Sequence, residues 1–482
     1  MAMVERRFRL NQQIKLPLDT VIVSPLPVAP PVNTPTLRVL NNSTGGCRSC
    51  ETVGIPSSLA ENYDDQFLAV SPSRATYVAL RNDSLEAFRA LLNGVTIKGA
   101  LEILERSHSD PAGALRDILT AVVIRNFFEN ATTSNSVPDG AVLHFYVTNS
   151  CNLRCAHCYM SSGEPLEGEL STSEKLRVLD LFAKLHPKGQ VTFSGGEALA
   201  TPDIFVLLKS ARHLGLRIQL YTNGVTVRPS NVVEIIRLVD VLQISLDGAT
   251  ALVNDQIRGT GTFDKIIAAI KLVNALPRSD HFLLRIAMTL TPTNADDIEK
   301  NLGDLLAQLR LNGNYKVSIG TATNMGRAQG NANLFSNIDE MRSLESRVIH
   351  GLTKRDILTV PVLSQNLFKK SCGHGGAITV RADGSIYPCS ITNQPAIGNV
   401  RDPDALVLMA GVRNYIASSS IDNVEGCNRC AIRYFCGGIC RVTNFARNGS
   451  YNISACTPEY KNSQIRTLIR RFETFKIGAN VQ

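Results

Sequence analysis

Between residues 141 and 325, six short apolar runs alternate with longer amphipathic ones. The short runs are VLHFYVT, GQVTFSG, RIQLYTNG, VLQISLDG, FLLRIAMTL and YKVSIGTA. Among the runs between them, SEKLRVLDLFAKL, PDIFVLLKSARHL and FDKIIAAIKLVNAL carry apolar residues at helical spacing. Repeated strand–helix units imply a parallel sheet, open or curled into a barrel. In either form the residues that do chemistry gather at the C-terminal ends of the strands.

The flanks read differently. Residues 1–65 are rich in Pro, Asn and Ser and are expected to be extended or irregular, because proline removes amide donors and resists helix. Residues 66–137 suggest a small winged-helix-like module, with strands FLAVSP and TYVALR followed by three short helical runs. Asn93-Gly94 would end the first of these. Residues 138–330 hold the strand–helix repeat, and 331–370 form a helical connector. Residues 371–460 are Cys-rich and include a hairpin candidate, AITVRADGSIYPC, turning at Asp383-Gly384. From 461 to 482 a terminal helix is expected, with Ile465, Leu468, Ile469 and Phe472 on one face.

The chain has 482 residues, 44% hydrophobic and 19% charged, which suits a folded protein of roughly two to four domains. A formal charge of +8 over this length describes a solvated surface, and no Lys/Arg run interleaved with aromatics points to nucleic acid. No apolar stretch reaches the ~18 residues a membrane helix needs. The N-terminus lacks an export signal, so the cytoplasm is the expected location. Clustered cysteines in such a compartment ligate metal or do redox work more often than they form disulfides. Here seven of twelve cysteines fall between 372 and 456, and none lies between Cys158 and Cys372.

Directly after the first strand comes NSCNLRCAHCY, which spaces Cys151, Cys155 and Cys158 as C-x3-C-x2-C. Three thiolates on a short loop suit three irons of a [4Fe–4S] cube and leave the fourth iron open. A zinc site would need a fourth ligand, for which His157 is a candidate. This spacing at the end of a first barrel strand resembles the radical S-adenosylmethionine (SAM) superfamily. The resemblance implies a partial (β/α)6 TIM-type barrel. It also implies that SAM binds the open iron and is cleaved to a 5′-deoxyadenosyl radical, which abstracts hydrogen from the substrate.

The same resemblance supplies a set of cofactor contacts. Strand two ends in Gly195-Gly196-Glu197, which resembles the family's GGE motif, with Glu197 on the SAM amino group. Strand three ends in Thr222-Asn223-Gly224. Strand four ends in ISLDG, where Ser245 and Asp247 are expected to face the barrel interior together, on the SAM ribose by resemblance or with Asp247 capping a helix. Asn254 stands where many relatives have His. Arg285, a charge inside an apolar strand, is expected to pair with a SAM carboxylate, a substrate acid or an acid within the barrel.

The C-terminal cysteines run Cys372, Cys389, then Cys427-x2-Cys430-x5-Cys436-x3-Cys440, then Cys456. Seven sulfurs are too many for one cluster, and two zinc sites are the structural alternative. The pattern resembles the SPASM domain of radical SAM peptide and protein maturases. That resemblance assigns Cys372, Cys389 and Cys440 to one auxiliary cluster and Cys427, Cys430, Cys436 and Cys456 to another, three [4Fe–4S] clusters in all. Either His374 completes the first auxiliary set or its remaining iron is open to substrate or solvent, and the open form is the one expected. Cys47 and Cys50 have no family role.

SPASM maturases imply a ribosomally made precursor peptide whose leader docks on the N-terminal module, and a reductant such as flavodoxin or ferredoxin. The expected product is a thioether or carbon–carbon crosslink. Alternatives are peptide epimerisation, formylglycine-type sulfatase maturation, or crosslinking of an amine dehydrogenase subunit.

Overall fold

A computed structural model describes residues 9–24, 65–128, 141–355, 357, 369–373, 375–391 and 394–479. The chain divides into two compact units.

The first unit comprises residues 1–137, 361–372 and 420–482. Strands β1 (Val21–Val23), β2 (Gln66–Ser71) and β3 (Thr76–Arg81) form an antiparallel sheet in that order. β1 comes from the Pro-rich stretch and pairs Val21 with Val70. Helices Leu85–Leu92, Ile97–Leu104 and Pro111–Ile124 follow. Thr96 and Asp110 cap the second and third by accepting from Gly99 N and Gly113 N. Gly94, at φ +81°, ends the first helix. The core of this unit joins Phe67, Tyr77, Phe88 and Phe127 to Phe435 from the Cys-rich segment and to Ile465, Leu468, Ile469 and Phe472 from helix Pro458–Ala479. Each such fully buried side chain contributes ~1.5–3 kcal/mol. The terminal helix therefore buries the apolar face its spacing marks out.

The second unit comprises residues 138–360 and 373–419. β4 (Val142–Tyr146), β5 (Gln190–Ser194), β6 (Arg217–Thr222), β7 (Val241–Ser245), β8 (Leu283–Leu290) and β9 (Tyr315–Thr321) are parallel neighbours in chain order. This is the partial α/β barrel the six apolar runs imply. β10 (Ala377–Val380) joins the sheet beside β4, parallel to it, and β11 (Ser385–Tyr387) and β12 (Gly398–Asn399) extend it antiparallel. The β10–β11 turn places Gly384 at φ +85°, where a side chain would be strained.

Period-2 alternation divides the sheet's two faces. Phe145, Phe193, Leu220, Ile244 and Ile286 are buried in the core with the helices. The alternate positions carry polar groups, among them His144, Thr192, Gln219, Gln243 and Arg285. The hydrophobic layer thus fixes the strands, and the opposite face is left for chemistry.

Candidate functional site

The loop that leaves β4 is held from four directions. Ser194 O accepts from Val147 N, and Thr148 O accepts from Gly196 N at 2.8 Å. Ser150 O accepts from Glu197 N at 2.9 Å. The Glu169 carboxylate accepts from Asn149 N at 2.7 Å and Thr148 Oγ1 at 2.8 Å. Ile257 O accepts from Ala156 N. Arg327 donates from Nε to Cys155 O and from Nη1 to Ser162 O, both at 2.8 Å, and its own amide donates to Cys158 O. Glu169 and Arg327 are the functional residues whose grip on this loop the motifs do not announce. Arg327 sits in the short turn Gly326–Ala328 that follows the sixth barrel strand.

The three thiols of this loop lie close enough to repel one another as thiolates. Burial pushes Cys155 up to about 11, with Arg258 opposing and Asp247, Cys151 and Cys158 adding to the rise. Burial likewise raises Cys151. Cys151 and Cys155, so raised, keep their protons as free thiols at neutral pH, and a bound metal would displace them. Three neighbouring soft donors, with none of the four strand-end tethers using a sulfur, fit the corner positions of an iron–sulfur cube. Among the described residues, no three His, Cys, Asp or Glu side chains converge as ligands of a single metal ion. A cube takes one thiolate at each corner and does not need such convergence.

Gly195 and Gly196 serve this loop. A Cβ on Gly195 would lie 2.3 Å from Thr148 O, and one on Gly196 would lie 2.1 Å from Ser150 O. The chain that approaches these glycines is therefore the protein's own cysteine loop. Glu197, buried, accepts from Leu199 N and Thr222 Oγ1 through Oε1 and from Asn223 N through Oε2. Burial raises its pKa, against those three donors and the charge of Arg258. Asn223 Nδ2 also donates to Asn152 Oδ1 within the loop, at 2.8 Å. The ends of β4, β5 and β6 are thus one hydrogen-bonded assembly.

Asp247 is fully buried and heavily engaged. Its Oδ2 lies 2.5 Å from His157 Nε2 and 2.7 Å from Arg258 Nε, and its Oδ1 accepts from Thr289 N. Burial alone would raise its pKa, but Arg258, His157 and that amide together hold it at about 2. The following helix begins at Ala251 with Thr250 as its N-cap residue, so Asp247 caps nothing. Asn254, the residue at the usual His position, accepts from Asp247 N and donates to Thr262 Oγ1. Ser245 ends β7 opposite Ala287 of β8. Arg285 donates to Tyr221 OH and Gln243 Oε1, each at 3.4 Å, and has no ion pair among the described residues.

In the first unit, four further cysteines come together. Burial raises Cys427, Cys436 and Cys456, and thiolates of the same set add to each rise. The neighbours so identified are Cys427, Cys430, Cys436 and Cys456. Cys427 also donates to Ser454 Oγ. Cys372 and Cys440 belong to this unit, and Cys389 to the barrel unit. Cys47, Cys50 and His374 lie outside the described residues.

A parallel half-barrel whose first strand delivers three cysteines against the ends of the next two defines a radical SAM domain. Residues 145–305 match the model of the radical SAM superfamily, so this part of the chain is a radical SAM domain. A domain of this family implies SAM and a [4Fe–4S] cluster.

Among relatives, the AdoMet-dependent heme synthase of Methanosarcina barkeri is 27% identical over 63% of this chain and 92% of its own length. The mycofactocin maturase MftC of Mycobacterium tuberculosis is 36% identical over 33% of this chain, and the match spans only 40% of MftC. Streptococcus suis SuiB, solved with its precursor peptide SuiA, superposes with a TM-score of 0.51 at 18% identity, over 81% of this chain and 96% of SuiB. Among the described residues, no helix is long and apolar enough to cross a membrane.

Proposed function

We propose that the chain is a radical SAM maturase that acts on a ribosomally made precursor peptide. The carrying observation is the three-cysteine loop held by Glu169, Arg327 and the Gly195–Glu197 segment at the C-terminal edge of a polar sheet face. Cys151, Cys155 and Cys158 hold the cluster in this reading. A reduced [4Fe–4S] cluster supplies the single electron that cleaves SAM and starts hydrogen abstraction. Glu197 receives the SAM amino group, with Thr222 and Asn223 fixing its carboxylate. Asp247 keeps Arg258 and His157 in place beside the loop.

Peptide substrates are favoured by the relatives named above, a maturase and an enzyme crystallised with a precursor peptide. In the first unit, β3 is an edge of its sheet, and an extended leader can add to such an edge as a further strand. Cys427, Cys430, Cys436 and Cys456 form the ligand set of one auxiliary cluster. The product of this reading is a thioether or carbon–carbon crosslink.

Anaerobic, reduced protein should convert SAM to 5′-deoxyadenosine, and Cys155→Ala should abolish the yield. A peptide encoded beside this gene should lose a pair of hydrogen atoms on co-expression, or take up deuterium from solvent if it is epimerised. A chain that makes no 5′-deoxyadenosine, or a Cys155→Ala variant that still does, refutes the proposal. The match to nearly the full length of the heme synthase favours a second reading, a tetrapyrrole substrate. A tetrapyrrole that binds and changes mass, with every tested peptide unchanged, would select it.

A further inference from the structure

Arg285 on β8 stands in register with Gln243 of β7, which stands in register with Tyr221 of β6. Both of its hydrogen bonds, at 3.4 Å, are at the long end of the range and go to neutral oxygens. The strand residues that share its face, from β4 through β10, include no Asp or Glu. A half-buried guanidinium without a counter-charge is costly, and an incoming anion would relieve that cost.

The polar surface continues away from Arg285. Tyr221 OH donates to Gln219 Oε1 at 3.2 Å. Further round, the register Thr379–His144–Thr192 crosses β10, β4 and β5. The two threonine hydroxyls are fully buried and have no hydrogen-bond partner.

Depth separates this surface from the cofactor end. Thr289, whose amide holds Asp247, is four residues further along β8, about 13 Å towards the C-terminal edge. The cysteine loop and Glu197 lie at that edge. We propose that Arg285, with Gln243 and Tyr221 beside it, binds a carboxylate of the substrate on the polar face of the barrel. The proposal deepens the peptide-maturase reading and rests on it. The peptide would present either an Asp or Glu side chain or its own C-terminal carboxylate.

The test is a binding measurement on anaerobic holoenzyme saturated with SAM, and it needs no turnover. A chain that makes no product therefore still decides it. The probes are N-acetylglutamate α-methylamide against its glutamine counterpart, and N-acetylalanine against N-acetylalanine methylamide. The first pair reports a side-chain carboxylate and the second a C-terminal one. In the wild-type protein one charged probe should bind at least about tenfold more tightly than its neutral partner. Arg285→Gln should erase that preference, and Arg285→Lys, which keeps the charge, should retain part of it. Equal binding of charged and neutral probes by the wild type would overturn the proposal, and so would a preference that survives in Arg285→Gln. A variant that loses SAM affinity tenfold while keeping the probe preference would assign Arg285 to SAM instead.

Discussion

Arg327 Nε donates to the carbonyl of Cys155 at 2.8 Å, so the end of the sixth strand grips the loop that leaves the first. Its Nη1 makes a second such bond, to Ser162 O. Hydrogen bonds from a charged donor contribute ~1.5–3 kcal/mol each. Arg327→Gln should therefore leave the barrel folded and loosen the cysteine loop. Iron release to a chelator should accelerate at least about tenfold, since tenfold corresponds to only ~1.4 kcal/mol. Arg327→Lys should recover less than half of the loss, because a point charge does not reproduce the planar fork. Unchanged iron release in Arg327→Gln would remove Arg327 from this role.

Gly196 tests the same loop from beneath. A methyl group there would meet Ser150 O at 2.1 Å and Asn149 O at 2.6 Å, both backbone atoms that cannot turn aside. Gly196→Ala should displace the Thr148–Ser150 segment and cut iron incorporation sharply. Gly411→Ala is the matched control, since a Cβ at Gly411 meets nothing within 4 Å. At the end of a helix it should be neutral or slightly stabilising. Iron content per chain after anaerobic reconstitution is the measurement.

Why some of this is legible in sequence and some is not follows from what a linear pattern can carry. Alternation in VLHFYVT and RIQLYTNG reports a strand and its two faces, so Phe145 and Leu220 fall in the core as their spacing dictates. The C-x3-C-x2-C loop is legible because its donors are adjacent in the chain. Glu169 is not, because its partners Thr148 and Asn149 lie some twenty residues away and any surface glutamate looks alike. The pair His157–Asp247 spans 90 residues. Ser245 and Asp247 share strand parity, yet Asp247 lies past the strand end, and the buried charge of Arg258 claims it. The hairpin at Gly384 was legible from its turn, but not that β10 would lie beside β4, because partner choice leaves no local mark. β1 was hidden by the prolines around it.

The Asp247–Arg258 pair has a definite pH signature. Asp247 sits at about 2 when folded, below the ordinary 3.8 of an aspartate. As pH falls, the unfolded chain takes up its proton first, so the stabilisation is complete above about pH 4 and is lost between about 4 and 2. Asp247→Asn should cost roughly 3 kcal/mol at pH 7, because it leaves Arg258 buried and unpaired. The gap in denaturation midpoint between wild type and variant should narrow as the pH is lowered through that window. A gap independent of pH would show that the carboxylate's charge does not matter.

In the first unit, Phe435 precedes Cys436 and packs its ring edge-on against Tyr77 of β3, centroids 5.0 Å apart. Tyr77 OH in turn donates to Leu468 O of the terminal helix. The residue that anchors the Cys-rich loop is thus a core residue of the three-stranded sheet. Removing such an aromatic costs ~3–5 kcal/mol. Phe435→Ala should therefore speed amide exchange across β2 and β3 and, if Cys427, Cys430, Cys436 and Cys456 hold a cluster as proposed, reduce the iron bound per chain. The converse should hold as well. If those four sulfurs share one cluster, Cys456→Ser weakens the loop that carries Phe435, and protection in β3 should fall although Cys456 is far along the chain from it. Exchange rates measured by mass spectrometry on wild type and both variants decide the matter. Protection in β3 that is indifferent to Cys456→Ser would mean that the metal set and the sheet are only neighbours.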